Sequence, residues 1–594
     1  MSKMIEVFRA LPNKGLMLSK PEEFLKYNYS VDGSINLEFS NELLQGRLGI
    51  VKLDTTLLSG AITLINQYWL DTGIWYLMIC TTKDIYKYDF DNSRFDILTP
   101  LYQTGTITIA AETPTIVTGS GTSWASQLIA GGYIKINTGN VHTGATWYEI
   151  QSVDSDTQLT LKTSASASSN SAYVARKIFT GTATDFWKSV IFEDDNLGKI
   201  WIAINGVNKP VRWDTSGQVI PLATLPTGFT TAKFINVYKD RLFFFWCIVD
   251  GNNMPRTGYW SAVANCESWS NLDYIDFLDE DYWITNVTNF FDYQIVFRER
   301  DAIIGRYIGG DYTFAWEVNS KCGGVWGVNS VVTTQHYIYY WGPDNKFHRW
   351  NLLTEEDIFG DELLPFMKDL SPNTEQYIFG WEVEVKNQIR WFIPYGDIDY
   401  HNYVFVYDYE QHIANLWPIA KAQSLWCIGE YLNIEDLYAD DPIYGELYAD
   451  EVESFADTRE FLEGAPIILY GGYDGYVRKA DIGTNDDGET YTRRFRSIRD
   501  NFGLPNRYKR LHKQEFWLES QLAGNITISL KRDDNNSFDS STKTISLINA
   551  NRDIIKESLR WDREAQNFQT QIEATIHFAI LGYINRLFPK RKTF

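Results

Sequence analysis

Short apolar strands separated by polar turns recur along most of the chain, and the clearest copy spans residues 200–214. Residues 200–204, IWIAI, are apolar at every position, which predicts a strand covered on both faces. Asn205 and Gly206 follow, and their tolerance of positive φ predicts a two-residue hairpin turn. The chain then returns through Val211–Trp213, so the segment predicts one antiparallel hairpin.

Six further segments repeat this arrangement of an apolar strand, a turn rich in Gly, Asp or Asn, and a second strand. They span 75–89, 241–261, 293–307, 336–351, 388–408 and 466–481. Irregular repeats at this spacing are typical of a β-propeller, a solenoid or a chain of hairpins. A propeller best explains strands that are apolar on both faces, because each blade lies between two others. We therefore predict an all-β protein with a β-propeller of about six or seven irregular blades. Ordinary hairpins are the alternative, since WD and kelch motifs are absent.

Two changes in composition predict further domains. Residues 104–176 are rich in Thr, Ser, Gly and Ala, which indicates a small inserted β-barrel or sandwich, or alternatively a polar edge of the propeller. From residue 490 a new set of strands and turns predicts a C-terminal β-sandwich. The predicted units are an N-terminal segment with the first propeller strands at 1–102, the insert at 103–178, the rest of the propeller at 179–485 and the sandwich at 486–594.

The chain is acidic, with a formal charge of −22, and this argues against nucleic-acid binding through a general basic surface. An acidic surface suits a conduit along which a polyanion slides, and it equally suits simple solubility. The charge is uneven: residues 491–594 carry about +8 and the remainder about −30. A basic cluster in this last segment is predicted to contact another subunit or a partner protein, with a solvated strand face as the alternative. It comprises Arg493, Arg494, Arg496, Arg499, Arg507, Lys509 and Arg510.

Two stretches, 271–283 and 433–457, combine carboxylates with aromatic residues. We predict that one or both face a lumen or guard its exit, and solvated loops are the alternative. The candidate residues are Asp273, Asp276, Asp279, Glu280, Asp281, Asp440, Asp441, Asp450 and Glu451.

Motifs of common catalytic sites are absent: the sequence has no HExxH, GxSxG, P-loop or EF-hand pattern. Propellers can carry glycosidase carboxylate pairs, but the residues of 273–281 lie in one loop, whereas such a pair usually comes from separate blades. We therefore expect no enzymatic activity, no metal site and no cofactor. The five cysteines are far apart, and neither a signal peptide nor an apolar segment of bilayer length is evident. Synthesis in a reducing cytoplasm is expected.

The order of several motifs resembles the β-propeller virion proteins of short-tailed phages, which are called tail nozzle, tail hub or packaged-DNA stabilisation proteins. The resemblance covers most of the chain outside 104–176. It rests on Gly33 with GRLG at 46–49, TTKDIYKYD at 81–89, WIAINGVNKPVRWD at 201–214, NVYKDRLFF at 236–244, the segment 257–277, QIVFRERDAIIGRYIGG at 294–310, YYWGPDNKFHRWN at 339–351 and GGYDGYVRKADIG at 471–483.

This resemblance implies a structural protein of the virion tail, made in the bacterial host cytoplasm. It implies a homohexameric ring below the portal and its adaptor ring, with tail fibres, a spike or a needle as further partners. Viral double-stranded DNA would pass through the lumen without sequence-specific binding. The resemblance supplies no catalytic residue. A receptor- or glycan-binding virion propeller is the alternative, and a propeller glycosidase is less favoured.

Overall fold

The computed structural model describes residues 3–590 except 10–14, 21, 23–24, 27–28, 41–42, 142–145, 311–312, 360–361, 372–373, 421–424, 433–465, 506, 522–523, 534–536 and 549–553. The described chain is almost entirely antiparallel β-sheet, which confirms the predicted all-β class. Four strands precede the first repeat. They are β1 (Ile5–Arg9), β2 (Leu37–Ser40), β3 (Leu43–Gly46) and β4 (Ile50–Lys52).

The first blade is a four-stranded sheet whose strands pair in chain order. It consists of β5 (Ile62–Trp69), β6 (Trp75–Thr81), β7 (Ile85–Asp89) and β8 (Arg94–Ile97). Its middle strands are apolar on both faces, and Leu77, Met78 and Ile79 are all fully buried.

The insert follows β8 and forms a single eight-stranded sheet. Its elements are β9 (Leu101–Tyr102), β10 (Thr106–Ile109), β11 (Ile116–Ser120), α1 (Trp124–Gln127), β12 (Tyr133–Ile136), β13 (Trp147–Ser155), β14 (Gln158–Leu161), β15 (Ser168–Ser171) and β16 (Tyr173–Arg176). The edge strands of this sheet are β15 and β9. Along the chain β15 is followed by β16, which pairs with β9, and β9 is followed by β10, which pairs with β15, so the two edges lie close together. The sheet therefore curls around one core, in which Trp124, Ile134 and Leu159 are fully buried.

Six more four-stranded sheets follow the insert in chain order. Blade 2 is β17 (Lys188–Asp194), β18 (Gly198–Ile204), β19 (Val211–Trp213) and β20 (Ile220–Pro221). Blade 3 is β21 (Phe229–Tyr238), β22 (Arg241–Val249), β23 (Asn252–Ala262) and β24 (Asn265–Asp276). Blade 4 is β25 (Ile284–Phe290), β26 (Tyr293–Arg298), β27 (Ala302–Tyr307) and β28 (Phe314–Asn319). Blade 5 is β29 (Val332–Thr333), β30 (Ile338–Trp341), β31 (Phe347–Trp350) and β32 (Glu355–Asp357).

Two short helices, α2 (Leu364–Lys368) and α3 (Thr374–Tyr377), separate blade 5 from blade 6. Blade 6 is β33 (Phe379–Val383), β34 (Gln388–Ile393), β35 (Tyr403–Asp408) and β36 (Ile413–Pro418), with a 3-10 turn at Glu384–Lys386. Blade 7 is β37 (Leu425–Tyr431), β38 (Ile467–Gly472) and β39 (Val477–Ala480), completed by β4 from the start of the chain. Among the described helices, none is long and apolar enough to cross a membrane.

The seven sheets close into a ring. The first strand of each blade contacts the first strand of the next, and β37 of blade 7 contacts β5 of blade 1. These seven strands therefore surround a central channel. The ring is fastened by β4, which pairs with β39 through Lys52 opposite Arg478 and Ile50 opposite Ala480. Seven blades within the described residues agree with the predicted six or seven.

Packing between blades explains the apolar strands of the repeat. Residues 200–204 of β18 are all completely buried, as predicted. Trp201 and Ala203 pack toward blade 1 in one cluster, whereas Ile200, Ile202 and Ile204 pack toward blade 3 in another. This split follows from the two-residue period of a strand, and each large side chain contributes about 1.5–3 kcal/mol by leaving water.

The turn after β18 differs from the prediction. Residues 205–210 make a six-residue connection, because β19 begins only at Val211. Asn205 is buried, and its side-chain oxygen accepts hydrogen bonds from the backbone N–H groups of Val207 and Asn208. The asparagine side chain thus organises a wider turn, and only Gly206 adopts a positive φ, of 77°.

The C-terminal residues form the predicted sandwich. Its strands are β40 (Arg493–Arg496), β41 (Lys509–Glu519), β42 (Asn525–Arg532), β43 (Lys543–Ser546), β44 (Ile554–Ala565), β45 (Phe568–Ala574) and β46 (Ala579–Pro589). One sheet has the order β40-β45-β42-β43. The other has the order β2-β3-β46-β41-β44, with β1 also paired to β46. The N-terminal strands therefore join the sandwich before β4 fastens the propeller, and this links both ends of the chain.

Candidate functional site

The first strands of all seven blades run in the same direction along the central channel, so the two mouths of the channel differ. We call the end where these strands begin the N-terminal mouth and the end where they finish the C-terminal mouth. The N-terminal mouth is crossed by aromatic rings. Phe186, just before blade 2, stacks on Phe379 of blade 6 at 5.4 Å and on Trp426 of blade 7 at 6.1 Å between ring centroids.

Polar contacts reinforce this crossing. The indole N–H of Trp426 donates to the carbonyl of Ala183 at 2.7 Å. The ammonium group of Lys188, in blade 2, donates to the side-chain oxygen of Asn329, which precedes blade 5, at 2.6 Å. Side chains from opposite sides of the ring therefore meet across the channel. A duplex cannot follow the propeller's own channel past these contacts, so any DNA lumen would have to lie between several copies of the chain.

A cleft on the opposite face lies between blades 5 and 6, at the C-terminal mouth. It encloses about 560 Å³. It is lined by Thr334, Gln335, His336, Tyr337, Tyr339, Arg349, Glu382, Glu384, Asn387, Tyr409, Glu410 and His412. A volume of this order suits a small-molecule or short-oligomer ligand. We call it the blade 5/6 cleft.

Tyrosines form one wall of the blade 5/6 cleft. The ring of Tyr339 lies 6.1 Å from that of Tyr337 and 6.3 Å from that of Tyr409. The hydroxyl of Tyr409 donates to Glu382 at 3.0 Å and lies 3.3 Å from the side-chain oxygen of Asn387. This bridge holds Tyr409 against the end of β33, and it presents aromatic surface beside hydrogen-bonding groups.

Three glutamates gather near this wall. Glu382 lies on β33 and Glu384 begins the following 3-10 turn, while Glu430 lies on β37 of the next blade. Burial, and then repulsion by Glu384, raises the pKa of Glu382. Burial raises the pKa of Glu430 to about 7, with further contributions from Glu384 and Glu382. One oxygen of Glu430 is buried without a hydrogen-bond partner among the described residues.

Positive and neutral groups complete the cleft. The guanidinium of Arg349 lies 4.7 Å from the ring centre of Tyr337 and donates to Glu356 at 2.6 Å. His412 lies 2.7 Å from the hydroxyl of Tyr407, and burial followed by the charge of Arg349 lowers its pKa. His412 is therefore neutral at neutral pH, which leaves Arg349 as the cation of this wall.

The cleft brings together two kinds of chemistry. Its tyrosine faces and its mixed donors and acceptors suit the apolar faces and hydroxyls of a sugar ring. Glu382 and Glu384 line the cleft, and Glu430, on the inner strand of blade 7 outside the lining, is near enough for their charges to help raise its pKa to about 7. Paired carboxylates whose pKa values differ are a requirement for acid–base work on a glycosidic bond. Sequence analysis missed this pair. The available signal was a glutamate interrupting an apolar inner strand, as in FGWEV at 379–383 and LWCIGEY at 425–431.

The predicted acidic residues of 271–283 occupy a strand end and a loop of blade 3. Asp273 and Asp276 lie in β24, and Thr257 donates to Asp276. Asp279 accepts two hydrogen bonds of 2.8 Å from the buried Arg298, and these bonds, together with the charge of Arg298, lower the pKa of Asp279. Glu280 is exposed, and Asp281 is exposed but bonded to Arg256 at 2.8 Å. Asp440, Asp441, Asp450 and Glu451 lie outside the described residues. A role at a lumen stays a prediction for all of them.

The predicted basic cluster is largely bonded within the chain. Arg493 and Lys509 are buried and donate to backbone carbonyls. Arg494, Arg499 and Arg510 pair with Glu573, Glu22 and Asp562. Arg496 donates to Gln571 and to the carbonyl of Asp32, and Arg507 is exposed. A partner contact by this cluster stays a prediction.

Comparison with known proteins gives distant likenesses only. No protein-family model matches the chain, and no curated protein matches it. Among solved structures, it is similar to an endosialidase of phage phi92 at 11% identity, over 58% of this chain and 71% of that one, with a TM-score of 0.18. It is also similar to an exo-β-1,3-galactanase from Phanerochaete chrysosporium at 9% identity, over 82% of this chain and 99% of that one, with a TM-score of 0.21.

The expectation of a protein without enzymatic activity is corrected by these findings, since both of the similar structures are glycosidases. The physical reason for the error lies in the blades. The sequence showed carboxylates clustered in one loop, whereas the fold brings Glu382 and Glu430 together from neighbouring blades. At these TM-scores neither likeness assigns a reaction or a substrate to this chain.

Proposed function

We propose that this chain is a glycan-binding β-propeller of a virion tail and that the blade 5/6 cleft is its glycan site. The observation that carries the proposal is the tyrosine wall of Tyr337, Tyr339 and Tyr409 facing Glu382 and Arg349 in a cleft of about 560 Å³. The resemblance to phage virion propellers supports a tail location.

The cleft has the parts that recognise a sugar ring. The face of Tyr409 offers apolar contact, while its hydroxyl is already fixed by Glu382, so the ring is held in place before ligand arrives. Glu382 and Asn387 offer acceptors for sugar hydroxyls, and Arg349 offers donors. Because Glu382 lies next to the channel and His412 lies on the outer turn, the ligand would extend outward along the two blades.

The carboxylates also support cleavage of the bound glycan. Glu430 lies on β37 beyond the residues that line the cleft, and its pKa of about 7 makes it the candidate proton donor to a leaving oxygen, while Glu382, which Tyr409 holds in place, is the candidate acceptor. Glu382 would serve both binding and cleavage, whereas Glu430 would serve cleavage alone, so variants of the two residues separate the two activities.

Exchanging Glu382 for glutamine should weaken glycan binding about 10- to 100-fold, because a charged acceptor next to Tyr409 is replaced by a neutral amide. Ligands would first be found on an array of bacterial surface polysaccharides, and affinity would then be measured by titration calorimetry. Glu317→Gln is the matched control, since Glu317 is exposed on blade 4. Equal affinity for the native protein and Glu382→Gln would contradict the site.

The same glycans should be incubated with the native protein and with Glu430→Gln, and new reducing ends should be counted. Turnover that disappears in Glu430→Gln while binding persists would identify a glycosidase. Binding without turnover in either protein leaves the cleft as a receptor-binding site. Failure of every surface polysaccharide to bind would overturn the proposal.

A second candidate function is a subunit of the tail nozzle or hub. Its specific support is a run of large apolar side chains beside carboxylates: Leu272, Leu278 and Trp283 are 85%, 67% and 49% exposed. Exposed apolar patches with polar rims are typical of interfaces. Together with the collinear motifs, this favours a ring of several copies, with the adaptor ring and tail fibres, spike or needle as neighbours and DNA passing between the copies.

For this candidate we expect a homohexamer on the tail axis, since cyclic symmetry closes a ring around a DNA-sized lumen. A reconstruction of the virion tail without imposed symmetry would measure it. Replacing Leu272 and Leu278 together with serine should reduce incorporation into particles, whereas Leu57→Ser, which changes a leucine that is 60% exposed elsewhere on the chain, should not. A single copy or a trimer on the tail would contradict the hexamer.

A further inference from the structure

A second pocket, separate from the blade 5/6 cleft, lies at the N-terminal mouth of the channel. It encloses about 260 Å³ between blades 2, 3 and the segment that precedes blade 5. Two lysines line it together with amide and aromatic side chains. The lining residues are Thr184, Asp185, Phe186, Lys188, Asn205, Gly206, Lys233, Phe234, Val328, Asn329 and Gln376.

Lys188 is fixed by its surroundings. It begins β17, its ammonium group donates to the side-chain oxygen of Asn329 at 2.6 Å, and it lies 5.1 Å from the ring centre of Phe234. Burial lowers its pKa to about 8. A protonated amine in this position has lost hydration, and its compensation is one hydrogen bond to the neutral side-chain oxygen of Asn329.

Lys233 approaches the same pocket from blade 3. Its ammonium group lies 3.7 Å from the ring centre of Trp246, which fixes the amine over an aromatic face. Lys233 is exposed as a residue; partial burial of its side chain lowers its pKa, and the charge of Asp185 acts in the opposite direction. Neither Lys188 nor Lys233 forms an ion pair with a carboxylate in the described part of the chain; their contacts are Asn329, Phe234 and Trp246.

The carboxylate of Asp185 does not neutralise the pocket. One of its oxygens accepts hydrogen bonds from both the backbone N–H and the hydroxyl of Thr182, at 2.7 and 2.8 Å. Two ammonium groups thus share a pocket with one carboxylate that is already engaged. In a chain with a net charge of −22, two lysines without ion pairs in one pocket stand out from the general charge pattern.

We propose that the pocket binds an oxyanion, the carboxylate or phosphate group of a small ligand, between Lys188 and Lys233. The side-chain amides of Asn329 and Gln376 face the same space and supply further donors. Phe186 and Phe234 give apolar walls for the rest of the ligand. An incoming anion would stabilise both ammonium groups and would rest against the aromatic crossing of the channel.

Two probes, inorganic phosphate and sodium glucuronate, distinguish a phosphorylated ligand from a carboxylated one. Each would be titrated into the whole chain by calorimetry, with potassium chloride holding the ionic strength constant. We expect saturable binding of at least one probe, about 10-fold weaker in Lys188→Met or Lys233→Met and lost in the double variant. Lys209→Met removes a nearby exposed positive charge and should bind as the native protein does.

Tighter binding of glucuronate would identify a carboxylated ligand, and tighter binding of phosphate a phosphorylated one. If Lys188→Met fails to fold, Lys233→Met and Lys233→Gln test the same pocket, because Lys233 makes no hydrogen bond across the channel to the described residues and its loss leaves the aromatic crossing intact. Absence of saturable binding by both probes, or equal binding in the double variant, would overturn the proposal. Glu382→Gln should leave this binding unchanged, which separates the pocket from the glycan cleft.

Discussion

Replacing Arg493 with methionine should destabilise the whole chain by about 3 kcal/mol or more, because a buried guanidinium loses three hydrogen bonds to backbone carbonyl oxygens. Arg493 is completely buried where the sandwich meets the propeller. Its guanidinium donates to the carbonyls of Arg47, Thr575 and Thr484 at 2.8, 2.8 and 2.9 Å. The three acceptors belong to the N-terminal segment, the sandwich and the segment after blade 7, so one side chain fastens three parts.

The midpoint of urea unfolding, followed by tryptophan fluorescence, would measure this loss. Arg507→Met is the matched control, because Arg507 belongs to the same basic cluster but is exposed and should change stability by less than about 0.5 kcal/mol. Equal midpoints for Arg493→Met and Arg507→Met would contradict the structural role. For the same reason Arg493→Glu would not test partner binding by the basic cluster, because its carboxylate would face three carbonyl oxygens and destabilise the region.

The repeat architecture could be predicted because its signal is local. Residues 200–204 are apolar at every position, and only a strand between two sheets buries them all. The insert was visible in the same way, as a change from aromatic to Thr- and Ser-rich strands. The turn at Asn205 was predicted too short, because the sequence does not show which backbone groups the asparagine side chain will accept from.

Long-range pairings could not be predicted. The three residues of β4 are too few to show the alternation of apolar and polar positions that would distinguish a strand from a loop. They nevertheless complete blade 7 from the far end of the chain. Arg493 and Lys509 appeared to be surface charges, because a sequence does not show the carbonyls that solvate them in the interior. Glu382 and Glu430 become neighbours only when blades 6 and 7 pack side by side. The sequence does not show this contact, so the candidate site could not be predicted either.

Arg390 is the second position where one substitution should have a large effect, and its effect should depend on pH. Arg390 is completely buried on β34 of blade 6. It donates to Asp481, after blade 7, at 2.8 Å and to the hydroxyl of Tyr470 at 2.6 Å. Lys386 also pairs with Asp481, at 2.9 Å. Although burial alone would raise the pKa of Asp481, Arg390 and Lys386 lower it to about 2.

Arg390→Met should therefore cost about 3–5 kcal/mol at neutral pH, because it leaves Asp481 buried with Lys386 as its remaining ion-pair partner. The pKa of Asp481 lies below its unfolded value of 3.8 in the native protein, so its contribution is complete above about pH 4 and is lost as the pH falls toward 2. The difference in unfolding free energy between native and variant proteins should accordingly narrow as the pH falls through this window. Urea unfolding at several pH values would measure it, with Asp481→Asn expected to behave like Arg390→Met. A difference that stays constant from neutral pH to about pH 2.5 would show that the loss comes from packing around the arginine and not from its charge on Asp481.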